Sequence, residues 1–264
     1  MVSRLRSKIA AGKAAIMQPT YLPWLGYFDL IGQVDKFVFL DDVQLVKRSW
    51  QTRNRIKTAQ GELFLTIPIK KISERDDTLI CDAVMSDDEP WIEKHIRSAE
   101  FAYKKATYFN DVFPFFKDTL LNNKKNLAEY NIYIIRQIAD KLGLKTEFIR
   151  SCELKGITGK KDARLVNICK HIGCDEYISP QGSASYIEKE CLGGEFAKNS
   201  LRFFYHNYEH PVYGQINGDF IGFMSIIDLL FNQGFDAGMV IIKSGRRPGI
   251  DPAVFRKEHL DCVS

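Results

Sequence analysis

Apolar positions along this chain fall into two patterns, short continuous runs and longer stretches with helical spacing. Residues 14–17 and the run Lys36-Phe-Val-Phe-Leu40 belong to the first pattern. Apolar side chains at consecutive positions occupy both faces of a strand, so both runs predict buried parallel strands. The first breaks into a loop holding Pro19 and Pro23, after which residues 24–32 predict a helix. The second ends in Asp41-Asp42, two carboxylates at a strand's carboxyl end. Residues 55–58 and 63–69, joined through Gln60-Gly61, predict a hairpin, with Pro68 confining the second arm to an edge. Helical spacing then runs over residues 91–105, 108–123 and 127–142, opened by Asp87-Asp88-Glu89-Pro90 and closed by Gly143.

Alternation returns in the last third. It predicts a strand at 146–150, a helix at 161–172 ending at Gly173, and strands at 176–179 and 201–205. An apolar helix at 225–231 is capped by Ser225 and stops near Gly234. Strand and helix alternating at both ends predict a mostly parallel, doubly wound α/β sheet, Rossmann-like or nucleotidyltransferase-like. The helical stretch at about 87–142 then reads as an insertion or cap over the crevice. Residues 1–13 read as a loosely held basic tail, and residues 14–264 as a single α/β domain.

Composition narrows the function. With 264 residues, 45% hydrophobic and 27% charged, the chain has the makings of a sizeable core. A net charge of +4 is too small for broad nucleic-acid affinity but suits an anionic small substrate such as a nucleotide sugar. The cysteines (Cys81, Cys152, Cys169, Cys174, Cys191 and Cys262) show no C-x-x-C spacing. Cys169 and Cys174 flank His171 without two further ligands nearby, so no metal is expected and the thiols read as reduced. The absence of a signal-like apolar segment or a membrane-length run leads to a cytoplasmic expectation.

Three clusters carry candidate chemistry. In the first, Asp41, Asp42 and Gln44 precede Lys47, Arg48, Trp50, Gln51, Arg53, Asn54 and Arg55. Guanidinium forks match phosphate, and an indole offers a stacking face. A solvated loop paired to its own aspartates is the bland alternative. Gln18, Thr20 and Tyr21 in the earlier turn would be aimed at the same ligand. In the second cluster, His206 and His210 precede Tyr213, Gln215 and Asn217, and Pro211 keeps the segment a loop. Imidazole can serve as a general base, although a lone histidine is more often merely hydrogen-bonded. The third, Ser179-Pro-Gln-Gly-Ser-Ala-Ser-Tyr186, has the make-up of an anion-holding turn, a type common without ligands. Nucleophile elbow, HExxH and GxGxxG motifs are all missing.

Met17-Gln-Pro-x-Tyr-x-Pro-Trp-x-Gly-Tyr-Phe28, Phe39-Leu-Asp-Asp-Val-Gln44 and Lys47-Arg-Ser-Trp-Gln-x-Arg-Asn54 resemble the WbqC-like protein family. His210-Pro-x-Tyr-x-Gln215 and Ser225-Ile-Ile-Asp-Leu-Leu-Phe-Asn232-x-Gly234 resemble its C-terminal signature, and the resemblance spans roughly residues 14–243. One departure is Ser179-Pro-Gln-Gly182, where a more glycine-rich turn is expected. The family is associated with gene clusters for bacterial surface polysaccharides, especially O-antigens with modified amino sugars. The resemblance therefore implies a transferase that acylates or aminoacylates the amine of a nucleotide-linked sugar. The donor would be an acyl-CoA, an acyl carrier protein or an aminoacyl-tRNA. Residue chemistry then assigns His206 or His210 as base, with Asp42 orienting it or holding sugar hydroxyls. Lys47, Arg48 and Arg53 would hold the pyrophosphate, and Trp50 or Tyr21 would pack on a ring. The competing class is a non-catalytic nucleotide or nucleotide-sugar binding module.

Overall fold

The computed structural model describes residues 12–46, 48–70 and 77–259. The basic tail lies outside the described residues up to position 11, as do Lys47 and Cys262. Five strands form one parallel sheet in the order β5-β2-β1-β6-β7, namely β1 (Gly12–Met17), β2 (Lys36–Phe39), β5 (Glu147–Arg150), β6 (Cys174–Ser179) and β7 (Arg202–Tyr205). In register, Ala15 lies opposite Phe37 and Met17 opposite Phe39, while Phe39 also pairs with Arg150 on the outer side. β1 starts two residues earlier than its apolar run, because Gly12 and Lys13 pair with Cys174 and Glu176 of β6.

The apolar runs are continuous because the sheet is covered on both faces. Ala15, Phe37 and Phe39 join one core cluster, whereas Ala14, Ile16 and Val38 point into the other. The first face carries α1 (Leu25–Ile31), α2 (Trp91–Tyr103), α3 (Phe109–Leu120), α4 (Leu127–Lys141) and α8 (Ile226–Ser244). The second carries α5 (Lys161–His171), α6 (Ala184–Ile187), α7 (Gly194–Lys198) and α9 (Pro252–His259). Helices on both faces of a parallel sheet make the fold doubly wound α/β. The helices between residues 87 and 142 bury Tyr103, Phe116 and Ile135 in the same cluster as α1 and α8.

The hairpin forms a separate antiparallel pair, β3 (Arg53–Thr58) and β4 (Gly61–Thr66), and Pro68 falls beyond its second arm. α8 departs from expectation. Gly234 does leave helical geometry, at φ 75° and ψ 179°, yet the chain resumes the helix and continues to Ser244. Glycine adopts that backbone at little cost, and the ring of Tyr108 fills the space its missing side chain leaves.

Candidate functional site

Strand order reverses between β1 and β6. The chain leaves β1 toward β2 and β5, then crosses back to β6 and β7. Connections that depart in opposite directions open a crevice outside the carboxyl ends of those two strands. Met17 ends β1 there, and three cavities of about 330, 360 and 310 Å³ share it as a wall. The first is bounded by Trp24, Trp50, Asn54 and Arg55, and the second by Trp24, Gly182, His206 and Tyr208. Gln18, Trp50, Gln51 and Ser183 border the third.

The turn after β1 is clamped from the hairpin side. Asn54, buried at the start of β3, donates through Nδ2 to the carbonyls of Tyr21 (3.1 Å) and Leu22 (2.7 Å). The Tyr21 amide donates to the Trp50 carbonyl at 2.8 Å. Trp24 folds back over the start of α1, where a side chain at Gly26 would stand 2.4 Å from its ring. A glycine is therefore needed for the indole to line the crevice.

His206 follows β7 and is held from behind. Its Nε2 lies 2.8 Å from Oδ2 of Asp29, a carboxylate with no exposed surface in the middle of α1. Asp29 also accepts from Arg246 Nε (2.9 Å) and Gln33 Nε2 (2.6 Å). A buried carboxylate is tolerable only with such partners. Asp29 thus fixes the imidazole with Nε2–H pointing inward, and Nδ1 has no hydrogen-bonding partner among the described residues.

The other sequence candidates are dispersed around this crevice. His210 spends both ring nitrogens within its own loop, Nδ1 to the Pro211 carbonyl (2.9 Å) and Nε2 accepting from the Phe223 amide (3.0 Å). Burial lowers its pKa, and its ring stacks on Trp24 at 6.0 Å. Tyr21, expected to face a ligand, turns inward with no exposure and meets His95 Nδ1 at 2.9 Å. Asp41 and Asp42 line none of the three cavities. Asp41 accepts from Arg150 Nε (2.7 Å) and the Cys152 amide (3.0 Å), while Asp42 binds Arg164 and the Ser151 hydroxyl (2.6 Å). Tyr213 and Gln215 donate to buried Asp228 at 2.8 and 2.7 Å. Burial raises the pKa of that carboxyl group despite these donors.

Arg53 lies over the Phe64 ring at 4.8 Å, Arg48 is exposed with φ 54°, and Gln44 bridges to Leu79. Lys47 lies outside the described residues. Sequence reasoning missed Asp29 and Arg246. The first had one available signal, a lone carboxylate inside Tyr27-Phe28-Asp29-Leu30-Ile31. The second sits in Lys243–Arg247, a charged stretch that reads as exposed, able to touch a phosphate but more often idle. Among the described residues no cluster of three or more His, Cys, Asp or Glu is suited to a metal, and no helix is long and apolar enough to cross a membrane.

The profile of the WbqC-like protein family matches residues 18–239, which include the turn, the hairpin, His206 and most of α8. The chain belongs to the WbqC-like protein family. This WbqC-like chain is 35% identical over 227 residues to the uncharacterised protein Rv1507c of Mycobacterium tuberculosis, covering 85% of itself and 95% of that relative. No solved structure matches it significantly. Asp29, Asn54 and His206 all fall inside the matched span, whereas Arg246 falls beyond it.

Proposed function

We propose that the protein is a transferase that modifies a nucleotide-linked amino sugar by acyl or aminoacyl transfer to the sugar amine, in the making of bacterial surface polysaccharide. The observation that carries this reading is the His206–Asp29 pair on the wall of the crevice where strand order reverses. The WbqC-like resemblance supports the sugar and the setting. An amine attacks an acyl carbon only as the neutral base. In this mechanism its lone pair forms the new C–N bond while the amine proton passes to His206 Nδ1. The C–S bond of a thioester donor, or the C–O bond of an aminoacyl ester, breaks with its electron pair on the leaving atom. That atom takes the proton back from the imidazolium. Asp29 keeps the other ring nitrogen protonated and stabilises the transient cation, the orienting role sequence reasoning gave to Asp42. Trp24 and Trp50 supply apolar walls for rings.

The test is a panel of nucleotide-linked amino sugars offered with acyl-CoA, acyl carrier and aminoacyl-tRNA donors, read by mass spectrometry. His206→Gln should lower turnover by about a hundredfold or more while sugar binding persists. Undiminished turnover in that variant refutes the base assignment. Binding of a nucleotide sugar without a covalent product from any donor favours a binding module instead.

A further inference from the structure

The crevice also contains two amide side chains that proton transfer does not use. Gln18 follows β1, Gln51 lies in the turn before β3, and both border the cavity of about 310 Å³ beside Trp50. Nε2 of Gln51 donates to Oε1 of Gln18. Gln51 is 4% exposed, and its side-chain oxygen, Oε1, is buried without a hydrogen-bonding partner among the described residues. The Gln18 amide nitrogen likewise has none among the described residues. Asn131 fixes the Gln51 backbone by donating to its carbonyl at 2.8 Å, so the residue is not free to swing away. Rotating both side-chain amides by half a turn only exchanges their roles. Gln18 would then donate to Gln51, leaving an open nitrogen on Gln51 and an open oxygen on Gln18. In either arrangement the pair offers one unfilled donor and one unfilled acceptor.

A ligand complementary to that pair carries an acceptor next to a donor on one planar edge. Trp50 adds a ring face. It borders two of the three cavities, is 51% exposed, and is backed by Phe64 at 6.5 Å between ring centroids. A flat ring with adjacent donor and acceptor on one edge describes a nucleobase; ribose hydroxyls donate and accept but present no flat ring to Trp50, and a phosphate dianion only accepts. We infer that the Gln18–Gln51 amide pair beside Trp50 reads the base of the nucleotide-linked substrate. This rests on the nucleotide-sugar reading but fails separately from it.

The experiment is calorimetric titration of the full chain with the diphosphates of uridine, thymidine, cytidine, adenosine and guanosine, and with ribose 5-phosphate. The wild type should prefer one base by about tenfold or more. Gln18→Leu and Gln51→Leu should each lower that base's affinity about tenfold and bring the bases to within about twofold of one another. Binding of ribose 5-phosphate should be unchanged, and His206→Gln should retain the base preference. Should a leucine variant unfold, Gln51→Glu keeps the volume while altering the hydrogen-bonding pattern, and it should change which base is preferred. Nucleotide binding with no base preference in the wild type, or with the preference intact in these variants, overturns the amide-pair assignment alone. No nucleotide binding at all overturns the nucleotide-sugar reading as well.

Discussion

Acidification should loosen the turn that walls the crevice, through His95. This residue lies on α2, 6% exposed, with its Nδ1 at 2.9 Å from the Tyr21 hydroxyl and its ring edge-on to Trp91 at 5.2 Å. Burial is the dominant cause of its lowered pKa, from 6.5 to about 4, and only a contact with the Thr66 backbone opposes it. The unfolded chain therefore binds the proton first as pH falls, so stability is complete above about pH 6.5 and is lost through the window down to about pH 4. The linkage integral over those two values predicts a loss of about 2 kcal/mol between pH 8 and pH 5, rising to about 3 kcal/mol below pH 4. The assay is urea unfolding of the wild type and of His95→Gln at pH 8, 7, 6 and 5, followed by tryptophan fluorescence. Surface carboxylates titrate alike in both proteins, so the wild-type advantage should shrink by about 2 kcal/mol across the series. Parallel curves would show that His95 does not hold its neutral form against the solvent. Because the Tyr21 amide donates to the Trp50 carbonyl, ligand affinity should weaken over the same pH window.

Two further substitutions probe the scaffold. Asn54→Ala removes both bonds that pin the turn carbonyls and should cost about 2 kcal/mol in chemical unfolding, with ligand affinity falling more than stability alone explains. Gly234→Ala places a side chain at φ 75° and 2.7 Å from the Tyr108 ring, so a melting curve should show a loss of about 1–3 kcal/mol from the backbone alone.

Much of the frame was legible because it rests on local signals. Lys36-Phe-Val-Phe-Leu40 reads as a strand buried on both faces, and the sheet places Phe37 and Phe39 in one core and Val38 in the other. Ser225 caps α8 by accepting from the Ile227 amide, as its position before an apolar run suggested. Gly143 and Gly173 end their helices with φ near 72°. The first and last glimpses of the crevice, Gln18 and His206, came from their places just after strands. What could not be read was pairing at long range. Arg246 meets Asp29 across 217 residues, and Asn54 clamps Leu22 across 32. The continuation of α8 past Gly234 was hidden for the opposite reason. A glycine signals a local break truthfully but says nothing of whether the helix resumes beyond it.

The twin aspartates show why strand ends are not equivalent. Asp41 and Asp42 follow β2, which lies between β1 and β5, where no reversal of strand order occurs. The segments leaving β2 and β5 therefore close on each other, and Arg150 and Ser151 at the end of β5, with Arg164 of α5, saturate both carboxylates. At β1 and β6 the chain departs both ways, and among the described residues polar atoms remain without hydrogen-bonding partners there: Nδ1 of His206 and the outer atoms of the Gln18–Gln51 pair. A charged cluster in a sequence is thus a weaker guide to a site than a polar residue at the point where topology leaves it no partner. On this argument, neutralising Asp41 should act mainly on stability, since it breaks a buried ion pair, whereas removing the open groups of the crevice should act on the ligand.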